Sequence, residues 1–291
     1  MDPLELVNLR ALMDRTSGSP EMKIGLIDGP VFTQHPDLAS EHLREIPGSN
    51  SAACSRVSST ACLHGTFVAG ILSAQRNSPA PAICPNCTLL VRPIFGDVTS
   101  EHEHMPSATP KELAAAIMEC IDAGARVINL SLALAQPSTR GEQSLEEALN
   151  HAVKRGVIVA AAAGNQGVLG SSAITRHPWV IPVVACDGRG RPMKESNLGS
   201  SIGRRGLRAP GDAITSLGAE GQSLTLGGTS VAVPFVTGAT ALLWSEFSSA
   251  TAVHIKLAMT QASTPQRASV VPPLLDVAAA YQILRTANAS R

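Results

Sequence analysis

The sequence predicts a three-layer α/β/α fold, a mainly parallel central sheet with helices on both faces. Two observations carry this expectation. First, five short runs are apolar throughout instead of alternating, as strands buried on both faces must be. Second, these runs are separated by stretches with helical periodicity, and strand–helix–strand succession is the signature of a parallel sheet. With 291 residues, 44% of them hydrophobic, the chain is long enough to bury a sizeable core.

The elements are expected in the following order. KIGLID (23–28) is the first strand, and GTFVAGILSA (65–74) is a helix that opens just after His64. TLLVRPIF (88–95) is a strand, and PKELAAAIMECIDAG (110–124) a helix stopped by Gly124. ARVINLSL (125–132) is a strand, SLEEALNHAVKRG (144–156) a helix stopped by Gly156, and GVIVAAAA (156–163) and WVIPVVAC (179–186) are strands. After residue 186 the chain turns to short Gly-, Arg- and Ser-rich stretches. A long helix then follows over 229–247, interrupted by Pro234, and helices over 251–262 and 274–286 close the chain. Without a repeat or a dividing linker, the expectation is one domain over 1–291, with its core at about 20–262 and a helical extension over 263–291.

Lys plus Arg and Asp plus Glu each number 23, so no global field favours nucleic acid or an anionic membrane surface. Runs such as VIVAAAAG fall far short of the roughly 20 apolar residues a membrane span needs. The acidic N-terminus MDPLELVNLRALMDR lacks the basic and apolar regions of a secretory signal. The chain therefore reads as cytoplasmic as given, or as secreted if a leader has been removed. Cys54, Cys62, Cys84 and Cys87 fall in loop-like Pro/Ser-rich stretches and read either as disulfide partners or as reduced thiols; their spacing matches zinc poorly. Cys120 and Cys186 have apolar neighbours and read as packing residues.

In a parallel α/β sheet, function gathers at the carboxyl ends of the strands. Asp28 in IGLIDGPV lies at such an end, His64 in LHGTFVAG and Ser230 in GGTSVAVP lie at helix starts, and Asn165 in AAAGNQG lies in a glycine-flanked turn after a strand. Singly, each reads as a turn or cap residue. Together they are an acid, a base, a hydroxyl and an amide donor, the set acyl transfer requires. A serine hydroxyl is a weak nucleophile until an imidazole takes its proton, a buried carboxylate orients that imidazole, and donors must face the developing oxyanion. The backbone N–H of Ser230 is the natural second donor, and the small flanking residues are read as room for a substrate backbone.

In the order Asp28, His64, Asn165, Ser230, with IDGPV, HGTFVAG, AAGN and GTSVAVP around them, this sequence resembles the subtilisin-like serine proteases, the subtilase or peptidase S8 family, over about residues 20–262. LIDGPVFTQHPDL and RPIFGDV are similar to the cyanobactin-maturation branch of that family. The resemblance implies that Asp28 orients the base, His64 acts as base and then acid, Ser230 is the nucleophile and Asn165 holds the oxyanion. The implied activity is endopeptidase hydrolysis through an acyl-enzyme, with a ribosomal precursor peptide as one candidate substrate. His64 is expected to be mostly neutral at neutral pH, as a base must be, which suits the unperturbed imidazole range.

The resemblance further implies a peptide substrate bound as an added strand between two edges, one at Ser131, Leu132 and Ala133, the other around Gly96 to Ser100. Ser131-Leu132-Ala133-Leu134 replaces the family's Ser-Leu-Gly-Gly, which predicts a narrowed or reshaped primary pocket. Ala162, Ala163 and Gly164 should form its opposite wall, with Ser172 near the floor, and no acidic residue there to select Lys or Arg. No cofactor is required. Asp37 is a weak calcium candidate, since QRNSPAPAICPN replaces the oxygen-rich loop of calcium-binding relatives. No pro-region is recognised before the first strand, which fits an intracellular processing enzyme or a chain reduced to its mature form. Two rivals remain: a transpeptidase or macrocyclase using the same acyl-enzyme, and a silent peptide-binding module.

Overall fold

The computed structural model describes residues 1–38, 40–48, 54, 56–95, 108–132, 142–262 and 269–289. The expectations placed on Gly96 to Ser100, Ala133 and Leu134 lie outside the described residues. Among the described residues, seven strands form one sheet: β1 (Lys23–Asp28), β2 (Leu43–Glu45), β3 (Thr88–Pro93), β4 (Val127–Leu130), β5 (Ile158–Ala162), β6 (Ile181–Cys186) and β7 (Leu207–Pro210). All neighbours are parallel, in the order β2-β3-β1-β4-β5-β6-β7. A separate antiparallel hairpin joins β8 (Ile214–Leu217) to β9 (Ser223–Leu226).

The helices are α1 (Pro3–Leu6), α2 (Arg10–Met13), α3 (Thr60–Ser73), α4 (Pro110–Asp122), α5 (Gln143–Arg155), α6 (Ala173–Arg176), α7 (Ser200–Arg205), α8 (Thr229–Glu246), α9 (Ala252–Gln261) and α10 (Val277–Ala289). The continuous apolar strands do alternate, but between two cores. Ile158, Ala160 and Ala162 of β5 face the core built with α3 and α8, while Val159 and Ala161 face the core built with α4 and α5. Helix α8 is buried nearly all round, which explains why its sequence shows small apolar residues and no polar stripe. Helices α4 and α5 cover the other face and are amphipathic. A Thr109–Glu112 capping box starts α4, and Gly156 ends α5 in the left-handed conformation.

The sequence reading differs from the fold at identifiable places. Helix α3 starts at Thr60, capped by Ser59, so His64 stands in its second turn instead of at its start. That capping serine sits in a polar stretch, which hid it. Strands β2 and β7 and the β8/β9 hairpin were not anticipated, because runs of three or four residues carry too little periodicity.

The strand order positions the site. From β1 the chain moves to β3 on one side and then crosses to β4 on the other, so the order reverses beside β1, and the crevice above such a reversal is where α/β sheets bind ligands. Asp28 ends β1, Ser131 follows β4, and Ala162 ends β5.

Candidate active site

Asp28, His64 and Ser230 converge in that crevice from β1, α3 and α8. The approach of α3 to β1 depends on two glycines. A Cβ on Gly29 would stand 2.0 Å from the Ala61 carbonyl oxygen, and one on Gly65 would stand 2.4 Å from that of Pro30. Bare backbone is therefore required on both sides of the contact, for the protein's own packing. The expectation of room for substrate is corrected at Gly29 and Gly65 alone, since Gly164 and Gly227 do line the cleft.

His64 Nδ1 lies 2.7 Å from Asp28 Oδ1, and His64 Nε2 lies 3.1 Å from Ser230 Oγ. Asp28 Oδ1 also accepts the Gly29 N–H at 2.7 Å, and the carboxylate is almost wholly buried. Burial is the largest single influence on the imidazole and disfavours its charged form. The charge of Asp28, and then its hydrogen bond, outweigh burial, so the His64 pKa is raised above the ordinary 6.5. The unperturbed value expected from sequence is thereby corrected upward.

Ser230 is the second residue of α8. Gly228 occupies the N-cap, so the Ser230 hydroxyl is not spent on capping and points to His64. Pro234, four residues on, has no N–H to donate to the Ser230 carbonyl. Ser131 Oγ fills that place, donating to Ser230 O at 2.8 Å and accepting from Asn129 Nδ2 at 2.8 Å. Asn129 Oδ1 in turn accepts from Thr237 Oγ1 at 2.9 Å, and Asn129 and Thr237 are fully buried. A chain of buried hydrogen bonds thus ties the first turn of α8 to the end of β4.

Asn165 is exposed at the cleft, and its amide orientation is set by Thr229. The Thr229 N–H and Oγ1 both donate to Asn165 Oδ1 at 2.9 Å. A backbone N–H can only donate, so the atom facing it is the oxygen, and Nδ2 is left as the free donor. The turn itself is held by Asn197, whose Oδ1 accepts from the N–H groups of Gln166 at 3.1 Å and Val168 at 3.2 Å.

Such an arrangement can deprotonate a hydroxyl, hold the resulting imidazolium against a carboxylate, and offer amide donors to a nearby oxyanion. A Subtilase family (peptidase S8) match spans residues 19–277. This chain belongs to the subtilase family. It is similar to the thermophilic serine proteinase of Bacillus sp. (strain AK1), with 34% identity over 80% of this chain and 54% of that one. The chain thus spans about half the length of that relative. Among solved structures, the protease domain of the patellamide maturation protease PatA is 30% identical with TM-score 0.85, covering 93% of this chain and 97% of that one. The PatG macrocyclase, 21% identical with TM-score 0.84 over 96% of both chains, shares the fold.

The subtilase cleft here encloses about 530 Å3. His64, Ser230 and Asn165 line it, with Ser131, Leu132, Ala162 and Gly164 from the expected walls. One expected wall residue and the expected floor residue are elsewhere. Ala163 packs against Val184 and Ile202 on the opposite side of the chain, since successive residues after a strand point to opposite faces. Ser172 caps α6 in a capping box with Thr175 and does not line the cleft.

Leu63, Phe95, Leu224 and Leu226 also line the cleft and were not singled out from sequence. Leu224 and Leu226 alternate along β9, a two-residue period that a four-residue strand is too short to reveal. Thr229, Asn129 and Asn197 were missed as well, since a polar residue that orients another leaves no local motif.

Cys54 and Cys62 are joined by a disulfide, which ties residue 54 to α3 two residues before His64. Cys62 is helical instead of lying in a loop. Cys84 and Cys87 are buried free thiols and not disulfide partners: they hydrogen-bond to each other, which holds the Cys84 pKa well up and the Cys87 pKa down. Asp37 lies in a turn where its N–H donates to His35 Nδ1 and its carbonyl accepts from the Gln75 N–H. Among the described residues, no group of three or more His, Cys, Asp or Glu could hold a metal ion, and no helix is long and apolar enough to cross a membrane.

Proposed function

We propose that this subtilase hydrolyses peptide bonds with Asp28, His64 and Ser230 as its triad. The observation that carries the reading is His64 placed within hydrogen-bond reach of Asp28 Oδ1 on one side and Ser230 Oγ on the other. Ser230 Oγ attacks the scissile carbonyl while His64 Nε2 takes its proton. The imidazolium is stabilised by Asp28, and the oxyanion is held by Asn165 Nδ2 and the Ser230 N–H at the start of α8. His64 returns the proton to the leaving amine, and the steps run again with water to release the acyl group.

The substrate class proposed is a ribosomally made precursor peptide, bound extended along the Ser131–Leu132 edge. The likeness to PatA supports it. Hydrolysis is favoured over ring closure because the described residues between β1 and α3 hold only a 3₁₀ turn (Ser40–His42) and β2, with no helical hairpin to exclude water from an acyl-enzyme. A fluorophosphonate probe should label wild-type protein at Ser230 and leave Ser230→Ala unlabelled. Absence of labelling would revive a silent binding module. Products of a precursor peptide short by one water would identify a cyclase instead.

A further inference from the structure

On the far side of the Asn165 turn lies a second cavity of about 620 Å3, with a different chemistry from the cleft. It is walled by the turn at residues 169–171, by α7 and by Val270. Two close backbone contacts build it. A Cβ on Gly199 would stand 2.5 Å from the Gly170 carbonyl oxygen, and one on Gly203 would stand 1.7 Å from that of Ser269.

Arg176, Arg204 and Arg205 line this cavity with Ser171, Ser200 and Ser201, and among the described residues no carboxylate joins them. Neither Arg204 nor Arg205 makes an ion pair among the described residues. Arg205 Nη2 donates to the carbonyl oxygens of Arg176 at 2.7 Å and Thr175 at 3.4 Å, which fixes the guanidinium in place. Its Nε is buried without an acceptor, as is the hydroxyl of Ser201. Native structures satisfy nearly all buried donors, so the wall of this cavity is unusual in carrying two donors that no described residue matches.

The positive charges of Arg204, Arg205 and Lys256 also act on one another. Burial, and then Arg204, push the Arg205 pKa below its ordinary range, and burial, and then Arg205, push Lys256 down to about 8. The chain as a whole is neutral, so this is a local concentration of charge and not a share of a global field.

We infer that this cavity is an anion-binding site that takes the carboxylates of an acidic segment of the peptide whose scissile bond lies in the cleft. Guanidinium groups bind planar carboxylates through paired N–H donors, and serine hydroxyls supply further donors. A peptide suits the site better than a free ion for two reasons. Its volume exceeds what one phosphate fills, and Leu169, 77% exposed, offers an apolar contact at its rim. The span from cleft to cavity is short, for Asn165 and Gln166 line one and Leu169 lines the other. The link to the scissile peptide rests on the proposed cleavage function.

The test uses binding, so it does not depend on turnover. A fluorescein-labelled substrate peptide extended by Glu-Asp-Glu-Asp, and its Gln-Asn-Gln-Asn counterpart, are titrated with full-length Ser230→Ala protein by anisotropy. The acidic peptide should bind about tenfold tighter in low salt, with the advantage fading as salt screens it. Adding Arg204→Glu should erase the advantage, and Arg204→Gln should reduce it; Arg204 is exposed and, among the described residues, its side chain is bonded only to the Ser200 carbonyl, so both variants should fold. Equal affinity for the two peptides, or an advantage that survives Arg204→Glu, would overturn the inference. Displacement of the acidic peptide by low millimolar inorganic phosphate would make this a free-oxyanion site and overturn the peptide assignment. Cleavage of both peptides by wild-type protein without an acidic preference in binding sinks this inference alone. An acidic preference in binding without cleavage of either peptide sinks the cleavage reading instead.

Discussion

Ser131 Oγ donates to the carbonyl oxygen of Ser230, an acceptor that a helix would ordinarily pair with the N–H of residue 234 and that Pro234 leaves open. The proline is therefore compatible with α8 because a serine from another strand end completes the first turn. Ser131→Ala should leave the Ser230 carbonyl unpaired at a cost of about 1–3 kcal/mol, read by urea unfolding, and should lower kcat. In a Pro234→Ala background residue 234 regains an N–H, so the same substitution should cost less. Strict additivity of the two changes would show that the residues do not share this acceptor.

The oxyanion assignment separates a donor from the residue that aims it. Asn165→Ala should lower kcat by ~10²–10³ with little change in KM, as removal of an oxyanion donor does. Thr229→Val removes one of the two hydrogen bonds that hold Asn165 Oδ1, and should lower kcat by only about fivefold. A rise in KM with kcat intact in either variant would point to ground-state binding instead.

The raised His64 pKa fixes the direction of the pH dependence. Activity needs the neutral imidazole, so kcat/KM should rise with pH through a midpoint above 6.5. Stability runs the other way. A group with a raised folded pKa stabilises fully below its unfolded pKa, and that contribution is lost as pH climbs through the folded value. Asp28→Asn removes both upward influences and leaves burial, so the acid limb should move to lower pH while kcat falls by ~10⁴. An acid limb that stays in place would mean that Asp28 does not set it.

Cysteine chemistry gives a count and an energy. Protein unfolded without reductant should react with a thiol reagent at four cysteines, and at all six after reduction. The Cys54–Cys62 bridge closes a short loop, with a sequence separation of 8, so Cys54→Ser should cost about 2.5 kcal/mol by the chain-entropy model. Six reactive thiols in the absence of reductant would contradict the bridge.

Much of the architecture was legible because β1, β5 and β6 are apolar runs of strand length between helical patterns, and those signals are local. The four residues proposed for chemistry were legible for a similar reason, each carried in a short string with its glycines. Ala163 and Ser172 were placed wrongly because adjacency in sequence does not say which face a side chain takes. The start of α3 was placed late because a serine cap in a polar loop resembles any other loop serine.

The sequence by itself determined the layers of the fold, the family likeness, and Asp28, His64, Asn165 and Ser230 as candidates, since local periodicity and motif encode each of these. Only the tertiary structure decided the partners. His64 meets Ser230 across 166 positions, Ser131 meets Ser230 across 99, and Thr229 orients Asn165 across 64. Such pairs depend on strand register and on where a helix can approach a sheet, as at Gly29 and Gly65. No local stretch encodes that geometry, because it belongs to the packing of several elements at once.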